Sequence, residues 1–406
     1  MRAIFVIDLR GKSGKFSFSE ELTNPGVGGS EAYIASLAIL LKSRGLAVGL
    51  GVLGKADVNT SPNMPVEPLE KMLPAVGSTL IVNSGSLDYA LHSWDQFANL
   101  VVVSHHPYDA NLWIYRSELR QRRAHIVSLG SYQYASNRSD SLNHLRIPGL
   151  WPNDVKRIDS KMRYEKRIIG FVGSLHPSKG LHDALKIVGR LPPDSFEFLQ
   201  VIGGEGLYAD PRESPTKIPI GNSKYRRRIE RLLEQFDLRE KVQFEGVVED
   251  IRPFLSNWRF AILNPRGFGE ADSQTLKELL SNGVPTFASR NFGLSDFTES
   301  NPKAALGRLA PGRDSRSILS SIESFESFEN LIRPMNAYVS THKGWNEKII
   351  DEWTRLLDPN ADEASTRVFS ESESLRRLSR KVTMFLTAIV MRAQFLFERR
   401  LSNRRT

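Results

Sequence analysis

Short apolar runs bounded by Gly, Ser or Asn alternate along this chain with longer stretches of helical apolar spacing. Ala3 to Asp8, Val48 to Leu53, Thr79 to Asn83, Leu100 to Ser104 and His125 to Leu129 read as buried strands. Ser30 to Arg44, with Ile34, Leu37 and Leu41 on one face, reads as a helix between the first two. A second series opens past the Pro- and Asn-containing stretch around Pro148 to Pro152. Its strands are Ile168 to Val172, Phe198 to Ile202, Val242 to Phe244, Phe260 to Leu263 and Thr286 to Ala288. Its helices are Leu181 to Leu191, Ser223 to Phe236 and Gln274 to Ser281. Strands joined through helices run parallel, so each series predicts a doubly wound, Rossmann-like α/β domain. Two such domains face each other across a cleft, and ligands bind at the C-terminal ends of their strands. The expected division is 1–164, 165–335, a closing helix in 336–358 that includes Asn346 to Leu357, and 359–406 as linker and basic amphipathic tail.

Composition narrows the class of function. The chain has no cysteine, which removes disulfides, thiolate metal sites and cysteine nucleophiles. No run approaches the length of apolar sequence that spans a bilayer, and Met1 to Asp8 lacks the apolar core of a secretory leader. The expectation is a cytoplasmic protein. Net charge is +9, but Arg376 to Thr406 alone holds nine Lys or Arg against one acid, Glu398. The body is therefore nearly neutral, and it lacks the basic stripe with interleaved aromatics of a nucleic-acid binder. The tail's apolar stretch Val382 to Met391, flanked by arginines, is too short to span a membrane. It suits a helix lying in an anionic membrane interface, or one packed on protein.

Three loops carry candidate chemistry. Gly11-Lys12-Ser13 looks like the end of a phosphate-binding P-loop, but the required earlier glycine is Val6, inside the strand, and the motif fails. Gly26-Val27-Gly28-Gly29-Ser30-Glu31 precedes a helix whose free N–H groups suit an anion; its plain reading is a turn with an N-cap. Glu31 in the third glycine position argues against a dinucleotide-binding dehydrogenase. Gly173-Ser174-Leu175-His176-Pro177-Ser178-Lys179-Gly180 places a lysine at a helix start, either facing a diphosphate or merely solvated. In Phe268-Gly269-Glu270-Ala271-Asp272-Ser273-Gln274-Thr275-Leu276-Lys277-Glu278, two carboxylates bracket a loop-to-helix transition. Paired carboxylate oxygens accept from vicinal hydroxyls, which sugars and riboses present, although acids at this spacing are also common on surfaces.

In this order the three loops resemble the retaining GT-B glycosyltransferases, family 4-like. Gly28-Gly29-Ser30-Glu31 matches that family's early G-G-x-E loop. Gly173 to Gly180 matches the segment that opens its second domain, and Glu270 with Glu278 matches its E-x7-E signature, followed by Gly283-Val284-Pro285. Ile202-Gly203-Gly204-Glu205-Gly206 and Val242-Gln243-Phe244-Glu245-Gly246 agree as intermediate landmarks. The resemblance implies a nucleotide-diphosphate-sugar donor, with Lys179 on the diphosphate, Glu278 on the ribose and Glu270 on the transferred sugar. Gly28, Gly29, Gly173, Ser174, Ser273, Gln274 and Thr275 would line the donor site. A histidine close to the reacting sugar falls on His105 or His106, with His105 preferred. Two departures stand out. Ser174 replaces the arginine of the family's diphosphate clamp, for which Arg266 is the substitute by proximity, and Asp272 places an unexpected acid near the phosphates, unless it contacts sugar hydroxyls.

No D-x-D motif occurs, so transfer is expected to be metal-independent, with no cofactor beyond the donor. The expected acceptor is a glycan or a lipid-linked molecule of surface polysaccharide or glycolipid synthesis. Alternatives are a non-catalytic sugar-nucleotide-binding protein and an epimerase or phosphorylase of the same architecture.

Overall fold

The computed structural model describes residues 2–358, apart from 11–14, 19–28, 56, 61–63, 65, 73–76, 93–96, 108, 139–141, 153, 205–217, 249 and 308–310. The tail from 375, Gly28, Glu205 and Gly206 lie outside the described residues. The first sheet takes strands β1 (Ala3–Asp8), β3 (Val48–Leu53), β5 (Val66–Pro68), β6 (Thr79–Asn83), β7 (Asn99–Ser104), β8 (His125–Ser128) and β9 (Asn143–Arg146). Two short strands, β2 (Lys15–Ser17) and β4 (Asp57–Asn59), pair separately. The second sheet takes β10 (Ile168–Val172), β11 (Leu199–Ile202), β12 (Val242–Gly246), β13 (Trp258–Leu263), β14 (Thr286–Ser289) and β15 (Ala305–Leu306).

All ladders are parallel, in the orders β5-β3-β1-β6-β7-β8-β9 and β12-β11-β10-β13-β14-β15. The direction of winding reverses between β1 and β6 in one sheet, and between β10 and β13 in the other. These reversals open crevices at the C-terminal edges, where doubly wound sheets bind ligands. The central strands β1, β3, β6 and β13 are buried on both faces because helices cover both, as parallel sheets require.

The C-terminal edges of the two sheets meet. Tyr132, after β8, packs edge-on against Phe292, after β14, with ring centroids 5.3 Å apart. Ser131 donates to Asp296 across the same seam, and Arg146 adds a longer contact to Asp296 at 3.7 Å. Gly130 is required here. A Cβ at that position would stand 2.1 Å from the Ala271 carbonyl oxygen, so any larger residue would push the domains apart.

The expected closing helix is two helices. Phe325–Thr341 packs Phe328, Leu331, Ile332, Met335 and Val339 into the core of the second sheet. Gly344, at φ 77°, supplies the left-handed turn that ends this path. Trp345–Leu357 then crosses back and buries Ile349, Ile350, Trp353 and Leu357 in the core of the first. Asparagine amides fasten the crossings. Asn346 accepts from Trp151 N at 2.9 Å and donates to Trp151 O at 2.7 Å. Asn336 holds Ile158 in the same two-pronged way, at 2.8 and 3.0 Å.

Trp353 is fully buried against Phe5, and its indole N–H donates to the Tyr33 hydroxyl at 3.1 Å. Trp353→Ala is expected to destabilise the protein by about 3–5 kcal/mol, the usual cost of truncating a buried aromatic. Denaturant unfolding followed by far-UV circular dichroism measures it.

Candidate active site

The loops that follow the two strands at the second sheet's reversal point, β10 and β13, hold the central ion pair. Lys179 sits at the end of a single helical turn, Pro177–Lys179, which His176 caps by accepting from Ser178 N. Gly180, at φ 77°, turns the backbone left-handed into the helix Leu181–Val188, where a side chain would crowd Arg266 and Pro265. This close approach brings Lys179 Nζ within 2.5 Å of Glu270 Oε1.

Asn264 shapes the Glu270 loop. Its φ of 36° is rare outside glycine, and its own side chain stabilises the turn. Asn264 Oδ1 accepts from Gly267 N at 3.0 Å, while Nδ2 donates to Phe268 O at 3.1 Å and Glu270 Oε1 at 3.0 Å. Burial pushes the Glu270 carboxyl upward, but Lys179, Asn264 and Ser273 together hold it below its ordinary range. Glu270 is therefore an ionised acceptor whose present partner is Lys179.

Ser273 caps the helix Gln274–Ser281 by accepting from Leu276 N, which aims the free N–H groups of that helix at the cleft. From the first domain, the helix Gly29–Ser43 starts at the same place: a Cβ on Gly29 would lie 4.0 Å from Gln274 Cγ. Two helix N-termini thus converge beside the Lys179 loop. Thr275 follows Gln274, half-buried. The Gln274 amide is buried with neither Oε1 nor Nε2 bonded among the described residues. Such groups are costly unless a ligand or water satisfies them.

The two histidines separate clearly. His105 is half-buried, its ring lies edge-on to Tyr33 at 5.6 Å, and its Nε2 is buried without a hydrogen bond among the described residues. Burial, helped by His106, lowers its pKa to about 3, so the imidazole is neutral. His106 is exposed. Its carbonyl accepts from Gln133 and Asn137, part of a buried network through Ser104 and Asp109 that fixes the loop after β7.

Glu278 lies in the second turn of its helix, half-buried, with no side-chain hydrogen bond among the described residues. Burial, with Asp250 adding, pushes its pKa up to about 7 against the pull of Arg252. Gly173, at φ 144°, and half-buried Ser174 follow β10.

The structure gives Asp272 and Arg266 partners that the sequence did not reveal. Asp272 does not stand as a free acid beside the phosphate loop: its Oδ2 accepts from Lys277, a buried ammonium that also donates to Gly149 O at 2.9 Å and Leu150 O at 3.2 Å. The pair neutralises both charges. Arg266 gives its Nε to Asp183 at 2.7 Å, and its Cγ borders Gly180, the residue after Lys179. Asn264, Lys277 and Asp183 were not candidates in the sequence, and neither was Asp8, which binds Arg10 at 2.7 Å and accepts from Ser86 at 3.0 Å at the reversal point of the first sheet. Asp8 was legible only as the acid that ends β1. A cavity of about 260 Å³ reaches the start of the helix Gln274–Ser281, lined by Gly130, Arg146, Trp151, Ser273, Lys277 and His342.

Two doubly wound domains, closed by a returning C-terminal helix and meeting at their strand ends, define the GT-B fold. Residues 153–340 match the model of the family described as glycosyl transferases group 1. The match spans the loops of Lys179, Glu270 and Glu278 and makes this part of the chain similar to the glycosyltransferases of that group. No curated protein matches its sequence. Solved structures share the fold at low identity. Sucrose-phosphate synthase from Thermosynechococcus elongatus is 16% identical with a TM-score of 0.61, over 88% of this chain and 98% of that one. Anabaena HepE in complex with UDP-glucose is 13% identical with a TM-score of 0.62, over 84% and 99%. WaaG, a glycosyltransferase involved in lipopolysaccharide biosynthesis, is 12% identical with a TM-score of 0.57, over 88% and 100%.

Two outcomes check the electrostatics. Asp272→Ala leaves the Lys277 ammonium buried without its carboxylate and is expected to cost about 3–5 kcal/mol, part of which Lys277→Met restores in the double variant. Chemical denaturation reads both. For Glu278 the folded chain binds a proton more tightly than the unfolded one, so its contribution to stability falls as pH rises from the ordinary 4.5 through about 7. Glu278→Gln removes that loss. Its melting temperature relative to wild type is expected to be higher at about pH 8 than at about pH 5.

Proposed function

We propose that this enzyme transfers a sugar from a UDP-sugar to a glycan or lipid-linked acceptor, with retention of configuration and without a metal ion. The observation that carries this reading is the convergence of Lys179, Arg266 and two helix N-termini on one corner of the cleft, beside the unsatisfied Gln274 amide. Cations and helix ends together suit a diphosphate. HepE, crystallised with UDP-glucose, supports uridine as the base. Glu278 takes the ribose hydroxyls, and Glu270 takes hydroxyls of the transferred sugar once the diphosphate draws Lys179 away.

The chemistry follows from charge. The bond between the anomeric carbon and the diphosphate oxygen breaks, and negative charge grows on the leaving phosphate, where Lys179 and the helix N–H groups stabilise it. The acceptor hydroxyl attacks from the same face, its oxygen bonds to the anomeric carbon, and its proton passes to the departing phosphate oxygen. His105, neutral and with no partner for Nε2 among the described residues, hydrogen-bonds the sugar at that face. The absence of a D-x-D motif and the protein's own cations support metal independence.

Thermal unfolding with UDP, GDP, ADP and CMP tests the reading. UDP at a hundred times its Kd is expected to add about 2.7 kcal/mol of stability, and Lys179→Ala is expected to abolish the shift. EDTA is expected to leave turnover unchanged. Loss of activity with EDTA, restored by a divalent ion, would contradict the metal-free mechanism.

A further inference from the structure

Lys179 and Arg266 are each paired with a carboxylate, but in chemically different ways. Lys179 has a single side-chain nitrogen, and Glu270 occupies it. Arg266 gives only its Nε to Asp183 Oδ2, at 2.7 Å, and its two terminal nitrogens make no hydrogen bond among the described residues. A guanidinium presents five N–H donors in a rigid planar fork, so the protein can hold one edge while another meets an anion. Arg266 Cγ packs on Gly180, which keeps the held side chain against the loop of Lys179. A diphosphate brings more negative charge than one lysine offsets, and half-buried Ser174, in the loop after β10, contributes none.

The surroundings of Asp183 fix it in place. It lies in the first turn of the helix Leu181–Val188, with only 13% of its side chain exposed. Lys186 donates to Oδ1 at 3.4 Å, and the fully buried His182 brings Nε2 to 3.3 Å from Oδ2. The Tyr225 hydroxyl accepts from His182 N at 3.4 Å, so its own proton goes to His182 Nδ1, 3.0 Å away. The ring proton of His182 is then on Nε2, toward the carboxylate. Burial pushes the Asp183 carboxyl upward, but His182, Arg266 and Lys186 hold it below its ordinary range.

We infer that Asp183 is a positioning residue for the donor, holding Arg266 by Nε so that the terminal nitrogens face the diphosphate. The inference rests on the donor reading given under Proposed function and assigns the means by which its second cation is aimed. The two ion pairs then act in opposite senses. Glu270 competes with the phosphates for Lys179, whereas Asp183 takes the edge of Arg266 that the phosphates do not need.

The test is calorimetric titration of UDP into wild type and variants, with uridine binding followed by saturation-transfer NMR. Arg266→Met and Asp183→Ala are each expected to weaken UDP by about tenfold and to leave uridine unchanged. The double variant is expected to bind UDP no more weakly than Arg266→Met alone, because both changes remove one interaction. Asp183→Asn keeps an oxygen for Nε and is expected to retain most of the wild-type affinity. Arg266→Lys, whose one nitrogen Asp183 would occupy, is expected to lose as much as Arg266→Met, a readout independent of how well Asp183→Ala folds. Unchanged or tighter UDP binding by Asp183→Ala, equal losses for UDP and uridine, or full affinity in Arg266→Lys would overturn the inference. Binding of UDP that Lys179→Ala abolishes and Arg266→Met leaves unchanged would overturn it while the donor reading stands. Failure of the wild type to bind UDP would overturn both.

Discussion

A buried ammonium sits where the two domains join. Lys277 is almost inaccessible to solvent, and taking its charge out of water is repaid only by a complete set of acceptors. Those acceptors are the Asp272 carboxylate and the carbonyls of Gly149 and Leu150, so one side chain ties the donor-loop helix to the connecting segment between the domains. Burial depresses its pKa while Asp272 pulls the other way, which makes the three-way geometry a condition for keeping the charge. The opposite end of the same helix is held by a second buried cation. Arg163 donates to Gly283 O at 2.9 Å, Asn282 O at 3.0 Å and Trp258 O at 2.8 Å, at the end where positive charge suits the helix dipole.

The helix Gln274–Ser281 is thus anchored by its interior, and its N-terminus and Glu278 are free to face ligand. That division of labour explains the contrast among the four acids of the region. Asp272 belongs to the scaffold and Asp183 positions Arg266. Glu270 waits in a pair with Lys179, and Glu278 stands without a partner among the described residues and with a raised pKa. A ligand that brings two negative phosphates and several hydroxyls is complementary to this arrangement: it takes up the cations and leaves the carboxylates available for hydroxyls.

Much of the architecture was legible in the sequence because it rests on buried parallel strands, whose continuous apolar runs are the clearest pattern a chain offers. The β1, β3, β6 and β10 runs and the helix Gln274–Ser281 have the boundaries that their apolar patterns imply. The edge strand β9, Asn143-His144-Leu145-Arg146, was not legible, because polar residues suffice at an edge. The last helix was legible at Asn346 to Leu357, within one residue of Trp345–Leu357, but Phe325–Thr341 before it was not, because Pro334 inside it reads as a breaker. In the site, the loops and their order could be read because glycines and paired acids recur at fixed offsets. The partners of those residues could not. Lys277 looks like any helical lysine, and Asp272 like a misplaced acid, until the fold brings Gly149 and Leu150 beside them. Pairings over more than a hundred residues leave no local trace.

In the proposed function, Lys179 exchanges Glu270 for the donor's diphosphate. Calorimetric titration of UDP into wild type and Glu270→Gln tests it most directly. Removing the competing carboxylate frees Lys179 and lifts a repulsion from the phosphates. UDP is therefore expected to bind the variant several-fold more tightly, while sugar transfer is lost. Weaker or unchanged UDP binding in Glu270→Gln would contradict it and would make the Lys179–Glu270 pair a structural brace with no part in donor binding.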